Sequence, residues 1–303
     1  MTDYKTTAKD HAKRLDIILT KLLKTSRSYV KFLIINNYIK VNNANEKPSY
    51  KVVVNDLLSI IIPKKKQIIN TDAKVTIIHK DENFVIYDKP WGMSVHPNDS
   101  KKPRKEIMLT DTLYRDFPKI DTKVNRMGIV HRLDKNTSGI IVVSLNDKFS
   151  SFIKKQFKNR DIEKTYKTIV LGIIKPQEGI ISAPITRGGS LRGRMTISGE
   201  DGGREAQTNY KVDKYFTDGK NRYSLLTVYP KTGRTHQIRV HLSSIGHPIV
   251  GDKLYGYNKK DVKRQLLHAE SISFLNLNNK KVFFSTKIPE DFNTFLKSLK
   301  KIN

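Results

Sequence analysis

The chain of 303 residues contains no cysteine. That excludes disulfides and thiolate metal sites, and it suits a reducing cytoplasm. Long hydrophobic runs are also missing. The longest apolar stretches, such as Leu57–Pro63 and Ile140–Val143, fall far short of the roughly 20 residues a bilayer-spanning helix needs. The N-terminal MTDYKTTAKDHAKRLD has no apolar signal-peptide core. No nucleotide-cofactor fingerprint such as a Walker loop occurs. Five histidines, His131, His236, His241, His247 and His268, stand outside any HExxH pattern and without cysteine neighbours, so zinc is not expected. The expectation is a cytoplasmic monomer without cofactor, metal or membrane partner.

Acidic residues are scarce as well. There are 29 Asp and Glu against 57 Lys and Arg, a formal net charge of +28. Abundant lysine, isoleucine and asparagine are typical of an AT-rich genome, which accounts for part of that excess. The remaining field favours polyanions, and nucleic acid is the usual one. A membrane surface ranks lower because no basic amphipathic helix with a wide apolar face is present. The hydrophobic fraction of 37% suffices for a packed core.

Residues 13–63 read as a compact unit. Leu15, Ile18, Leu19, Leu22 and Leu23 recur at helical spacing, and this first helix should end near Lys24–Thr25. Ser26 or Ser28 can cap a second helix with Val30, Leu33 and Ile34 on one face. Tyr38–Val41 and Leu57–Ile62 look like strands around an Asn42-Asn43 turn. Arg14, Arg27 and Lys31 are candidate phosphate contacts; a basic helix pair and hairpin with no RNA role is the plainer reading. Residues 64–72, opening on three lysines, read as a linker.

From 73 to 303 the pattern is α+β and rich in antiparallel strands. Strands are expected at Val75–Ile78, Phe84–Tyr87, Gly139–Ser144, Tyr166–Leu171, Tyr223–Tyr229, Ser271–Leu275 and Val282–Ser285. Helices are expected at Lys148–Asn159, Thr235–Ile245 and Asp291–Lys300. Two polar loops stand out, Asn98–Lys105 and the glycine- and arginine-rich Arg187–Glu205, the second either a basic flap or an ordinary surface loop.

The most informative segment is Met127–Asn146, MGIVHRLDKNTSGIIVVSLN. Asp134 sits between two apolar elements, flanked by Arg132 and Lys135, cations that favour its ionised form. An ionised, desolvated carboxylate is what a covalent nucleophile requires. Local chemistry alone favours a structural carboxylate that caps the turn or pairs with arginine, the commoner fate of a loop Asp. Thr235 can cap a helix with Ile238, Leu242 and Ile245 as its buried stripe, Gly246 ending it. Arg239 lies off that stripe, aimed at a carboxylate or at solvent. Tyr166 opens an apolar strand and could be an ordinary core aromatic.

The His131-Arg132-Leu133-Asp134 string resembles motif I of the RluA-type pseudouridine synthases. Lys89-Pro90-Trp91-Gly92, Glu163-Lys164-Thr165-Tyr166, Gly233-Arg234-Thr235-His236-Gln237-Ile238-Arg239, Gly246-His247-Pro248-Ile249-Val250-Gly251-Asp252 and Leu267-His268-Ala269 resemble further family stretches in order and spacing. Nearly the whole chain is covered, with the RluD branch the nearest in pattern. The N-terminal unit resembles the S-four-type RNA-binding domain through Arg14-Leu15-Asp16, Ser26-Arg27-Ser28 and Ile39-Lys40-Val41-Asn42. Asn37 and Asn43 stand where that family has glycine, and asparagine tolerates positive φ.

These resemblances imply an α+β catalytic domain with a central, mainly antiparallel mixed sheet, plus a small RNA-binding domain. They imply isomerisation of uridines in large-subunit ribosomal RNA, met in an assembly intermediate. Asp134 would be the nucleophile, Tyr166 would lie against the base and Arg239 would pair with Asp134. Arg132 would displace the base from its stack, and His131 and Arg234 would help bind RNA.

Overall fold

The computed structural model describes residues 2–23, 25, 27–61, 75–96, 106–117, 128–188, 193–199, 202–259 and 261–302. These fall into two compact units, 2–61 and 75–302. The expected linker 64–72, the loop Asn98–Lys105 and the cap residue Ser26 lie outside the described residues.

In the first unit, helices α1 (Leu15–Leu22) and α2 (Arg27–Ile35) pack on a small antiparallel sheet. Its strands, β1 (Thr2–Lys5), β2 (Ile39–Val41) and β3 (Leu57–Ile60), run in the order β1-β3-β2. Leu15, Ile18, Leu19, Val30, Leu33 and Ile34 form the core with strand residues Ile39, Val41, Leu58 and Ile60. Leu22, expected on the buried face, is exposed. The unit also begins earlier than residue 13, because β1 pairs along β3. Asn37, Asn42 and Asn43 all take positive φ, as asparagine permits in tight turns.

Asp16 is fully buried and explains two of the cations. Arg14 donates from Nε and Nη2 at 3.1 and 3.2 Å, and Arg27 at 3.0 and 3.3 Å. Two forks on one carboxylate lock α1 to α2. Both arginine side chains remain half exposed, and Lys31 is partly buried.

The second unit is built on one ten-stranded sheet. In chain order its elements are β4 (Thr76–Lys80), β5 (Phe84–Lys89), α3 (Leu109–Asp116), β6 (Ser138–Ser144), α4 (Asp147–Asn159), β7 (Glu163–Leu171) and β8 (Glu178–Ser182). A separate hairpin, β9 (Ile185–Arg187) with β10 (Met195–Ile197), follows. Then come β11 (Gln207–Thr217), β12 (Arg222–Pro230), α5 (Gln237–Ser244), β13 (Leu267–Leu275), β14 (Lys281–Ser285), α6 (Glu290–Lys297) and β15 (Lys300–Ile302). The main path is β15-β11-β12-β7-β13-β6-β5-β4, with β8 on β11 and β14 on β13. Among the described strands of this sheet, only β13 and β6 pair in parallel. This is the expected α+β architecture with a mainly antiparallel mixed sheet.

Burial follows the strand pattern. Every residue of β6 is buried, as its continuous apolar run predicts for a central strand. Helix α4 is capped by Asn146, whose side chain accepts the Phe149 N–H at 2.9 Å, and lays Phe149 and Ile153 on Phe84 and Phe274. The 187–205 segment is an ordered hairpin at its described ends rather than a plain loop.

Gly139 marks a close approach of two strands in the central sheet. Its φ is +112°, and a Cβ there would meet the Ala269 carbonyl oxygen of β13 at 2.1 Å. Backbone cannot yield as a flexible side chain can, so Gly139→Ala should cost about 3 kcal/mol or more. Gly219 has φ +90° and open space around it; Gly219→Ala should cost only the backbone strain, about 1 kcal/mol. Urea unfolding of the two variants checks the contrast, and equal losses would refute it.

Candidate active site

Asp134 lies in a turn closed by the Thr137 N–H on its own carbonyl at 3.0 Å. Leu133 before it and β6 after it are buried, which anchors both ends of the turn. Two buried cations hold the turn's other carbonyls. Lys89, at the end of β5, donates to Lys135 O at 3.2 Å and to Pro90 O and Met93 O at 2.9 Å. Arg264 donates to Asn136 O at 3.2 Å while its fork grips Asp291 at 2.7 and 2.9 Å. Desolvation pushes the Lys89 ammonium down to about 7, against the opposing pull of Asp134.

Arg239 reaches this turn from α5. Its Nη1 donates to Asp134 Oδ2 at 2.9 Å, and its Nε and Nη2 grip Asp252 at 2.7 and 2.9 Å. Burial opposes the guanidinium charge, but Asp252 and Asp134 outweigh it, and the net direction is upward. One planar group thus joins two carboxylates, a fit that depends on the rigid fork of arginine. The flanking cation Lys135, expected beside the Asp134 carboxylate, instead pairs with Glu106 at 2.7 Å.

The start of α5 differs from expectation. Thr235 does not cap it; the helix begins at Gln237, after His236 in the left-handed region. The buried Gln237 amide decides this. Its oxygen accepts from Thr232 Oγ1 and the Arg234 N–H, and its nitrogen donates to Gln207 O and Thr208 Oγ1. Four bonds, two of them tertiary bonds to β11, outweigh one local cap. Gly246 ends the helix at φ +82° as expected, whereas Ile245 is exposed rather than part of the buried stripe.

Asp134 and Arg239 share a cleft of about 510 Å³ with Tyr166, Arg132, His131 and Arg234. Tyr166 and Lys164 sit two apart on β7, so they project to the same face. Burial first, then the Asp134 charge, raises the Tyr166 hydroxyl well above its ordinary value; it is protonated at neutral pH. Burial and Lys231 lower the Lys164 ammonium to about 8. Arg132, Lys158, Arg160, Lys231 and Arg234 complete a cationic wall.

His131 lines the cleft while one of its ring nitrogens is bonded to the backbone. Its Nε2 accepts the Val142 N–H at 2.9 Å, and burial lowers the imidazole to about 3. It is a neutral ring tying the motif to β6, with one edge in the cleft. Three further histidines bond separately, His241 to Thr208 and Ala183, His247 to Leu171 and His268 to Ser138.

The RNA pseudouridylate synthase family model matches residues 83–244, more than half of the chain. The chain belongs to that family. An RNA pseudouridine synthase of Aquifex aeolicus, described as uncharacterized, is 38% identical over 263 residues, covering 84% of this chain and 80% of the relative. A ribosomal large subunit pseudouridine synthase D of Zymomonas mobilis is 34% identical over 303 residues, covering 94% and 93%. The solved structure of human RNA pseudouridylate synthase domain containing 1 superposes with a TM-score of 0.60 at 28% identity, covering 76% of this chain and 89% of that one. This chain is accordingly an RNA uridine isomerase.

Several residues of this pseudouridine synthase's site escaped the sequence reading. Asp252, Lys89 and Arg264 were visible as letters, but only the fold shows that each is buried and bonded to the Asp134 turn or to Arg239. The signal available was a charge set inside an apolar run, as in Ile249-Val250-Gly251-Asp252 and Phe84–Lys89. Such charges are rarely buried without a partner.

Proposed function

We propose that this synthase converts uridines of large-subunit ribosomal RNA to pseudouridine, with Asp134 as the covalent nucleophile. The observation that carries the reading is the Asp134 carboxylate, one-fifth exposed to a cleft and held by Arg239 at 2.9 Å. The ribosomal substrate is suggested by relatives such as the Zymomonas enzyme, whose name specifies the large subunit.

The reaction breaks the glycosidic bond, turns the uracil and rejoins it through carbon 5. No redox step or group donor is needed. A stacked uridine must first leave the helix, at a cost of roughly a few kcal/mol. Arg132, exposed at the cleft mouth, fills the vacated space by stacking. Tyr166 lies against the flipped base. Its hydroxyl stays protonated, so removal of the carbon 5 proton requires the phenol to hand its own proton on or another base to act. The cationic wall takes the flanking phosphates.

The deciding experiment incubates the purified protein with large-subunit RNA and maps pseudouridine. Formation of pseudouridine is expected. Release of free uracil would identify a glycosylase, and no product on any RNA would leave a binding protein.

The 2–61 unit serves as an RNA grip of the S-four type, a role supported by the exposed faces of Arg14 and Arg27. Deleting residues 1–66 should weaken RNA binding and flatten its salt dependence, because released counterions are lost with the phosphate contacts. Turnover at high concentrations of a short RNA should partly survive. Unchanged affinity and salt slope in filter binding would remove this role.

A further inference from the structure

His236 is not among the residues used above, yet it lies in the same cleft. It precedes α5 at φ 56° and ψ 18°, a conformation that costs a residue with a Cβ about 1–2 kcal/mol. Strain of this kind persists only where surrounding contacts enforce it. The contacts are specific. His236 Nδ1 lies 2.9 Å from Tyr255 Oη, and that oxygen also accepts the Met195 N–H of β10 at 2.7 Å. Two cations lie over the Tyr255 ring, Arg239 at 4.9 Å and Arg194 at 5.7 Å from its centroid.

A tyrosine hydroxyl has one proton to donate. Among the described residues, His236 Nδ1 is the acceptor bonded to it. Nδ1 is then an acceptor without hydrogen, and a neutral ring must carry its proton on Nε2. Burial lowers the imidazole, with Asp134 and Asp252 opposing and Arg239 and Arg132 reinforcing; the neutral form is the one to consider. Nε2 lies 3.9 Å from Asp134 Oδ2, the same oxygen that Arg239 Nη1 occupies at 2.9 Å. Catalytic hydrogen bonds are often long before substrate binds and tighten in the complex.

We propose that His236, with its tautomer fixed by Tyr255, is a positioning residue that presents Nε2–H to the Asp134 oxygen held by Arg239. The other carboxylate oxygen, Oδ1, is thereby left for bond formation. This inference rests on the reading of Asp134 as the nucleophile.

The test uses the full chain labelled with ¹⁵N-histidine, the His236 signal being the one missing in His236→Gln. Long-range proton–nitrogen spectra should show the Nε2–H tautomer in the native protein and a mixture of tautomers in Tyr255→Phe, which keeps the ring and its cation contacts. Losing a hydrogen bond to a charged group corresponds to about a 10- to 100-fold fall in kcat for His236→Ala, with KM nearly unchanged. Tyr255→Phe should fall by about 5- to 20-fold. His236→Gln should recover part of the loss, since its amide N–H can approach the same oxygen. A native Nδ1–H tautomer, or kcat unchanged in His236→Ala, would overturn the proposal. Asp134→Asn assayed in parallel separates the two failures: residual turnover there sinks the nucleophile reading, whereas an inactive Asp134→Asn beside a fully active His236→Ala sinks only this inference.

Discussion

Asp134→Asn is expected to abolish pseudouridine formation, by at least about 10⁴-fold, while fold and RNA affinity persist. An asparagine keeps the size of the side chain and an oxygen that can accept the Arg239 Nη1–H. It lacks the charge and the nucleophilicity needed to form the bond. The fold should notice little, because Arg239 retains its two bonds to Asp252 and the turn is closed by backbone between Asp134 and Thr137. A loss of about 1–2 kcal/mol is the expected scale. Affinity should persist because phosphate contacts supply most of it. Three measurements are needed together: pseudouridine by mass spectrometry, thermal unfolding and RNA binding. Substantial residual turnover, with a host synthase excluded, would show that Asp134 is not the nucleophile. Equal loss of stability and activity would return it to a structural carboxylate.

Strands buried on both faces were legible in the sequence. β5 and β6 announce themselves as continuous apolar runs, and α4 as a periodic one behind an Asn146 cap. Elements whose buried positions are polar or few were not. β11 buries Thr208, Tyr210 and Val212 on alternate positions amid lysine and asparagine, and α3 offers only Leu109 and Leu113 as large apolar anchors. β1, with the letters TDYK, and β15 owe their existence to the neighbours β3 and β11. At the end of the chain, a helix drawn to Lys300 actually stops at Lys297, and residues 300–302 join the sheet.

The site divides in the same way. Asp134 and Arg239 are 105 residues apart, and no periodicity links them; only the family resemblance joined them beforehand. Asp252, Lys89, Arg264 and Tyr255 matter through tertiary bonds, which residue type and spacing do not encode. The fate of His131 was hidden for a related reason. Its bond to the Val142 N–H joins residues of two elements, which the letters of the motif do not show.

Arg239→Lys should be the second most damaging change, despite conserving charge. The guanidinium makes three bonds in fixed directions, two to Asp252 and one to Asp134. An ammonium is a single point donor on a flexible stem, and it cannot span both carboxylates with that geometry. Asp252 is fully buried. It would keep the Leu254 and Tyr255 N–H groups on Oδ1 but lose the bidentate partner that compensates its charge. Uncoupling a buried pair in this way costs about 3 kcal/mol or more. Activity should fall by roughly 10²- to 10³-fold, since Asp134 loses its orienting partner while keeping its nucleophilic oxygens. Stability and kcat should therefore separate by site. Asp252→Asn in the Arg239→Lys background should add little further destabilisation, because the ion pair is already broken, whereas Asp252→Asn alone should be costly. The cycle is read by urea unfolding and single-turnover assays of the four proteins. Additive stability losses would mean that Arg239 and Asp252 act independently. An Arg239→Lys enzyme of native turnover would show that the carboxylate of Asp134 needs no fixed partner.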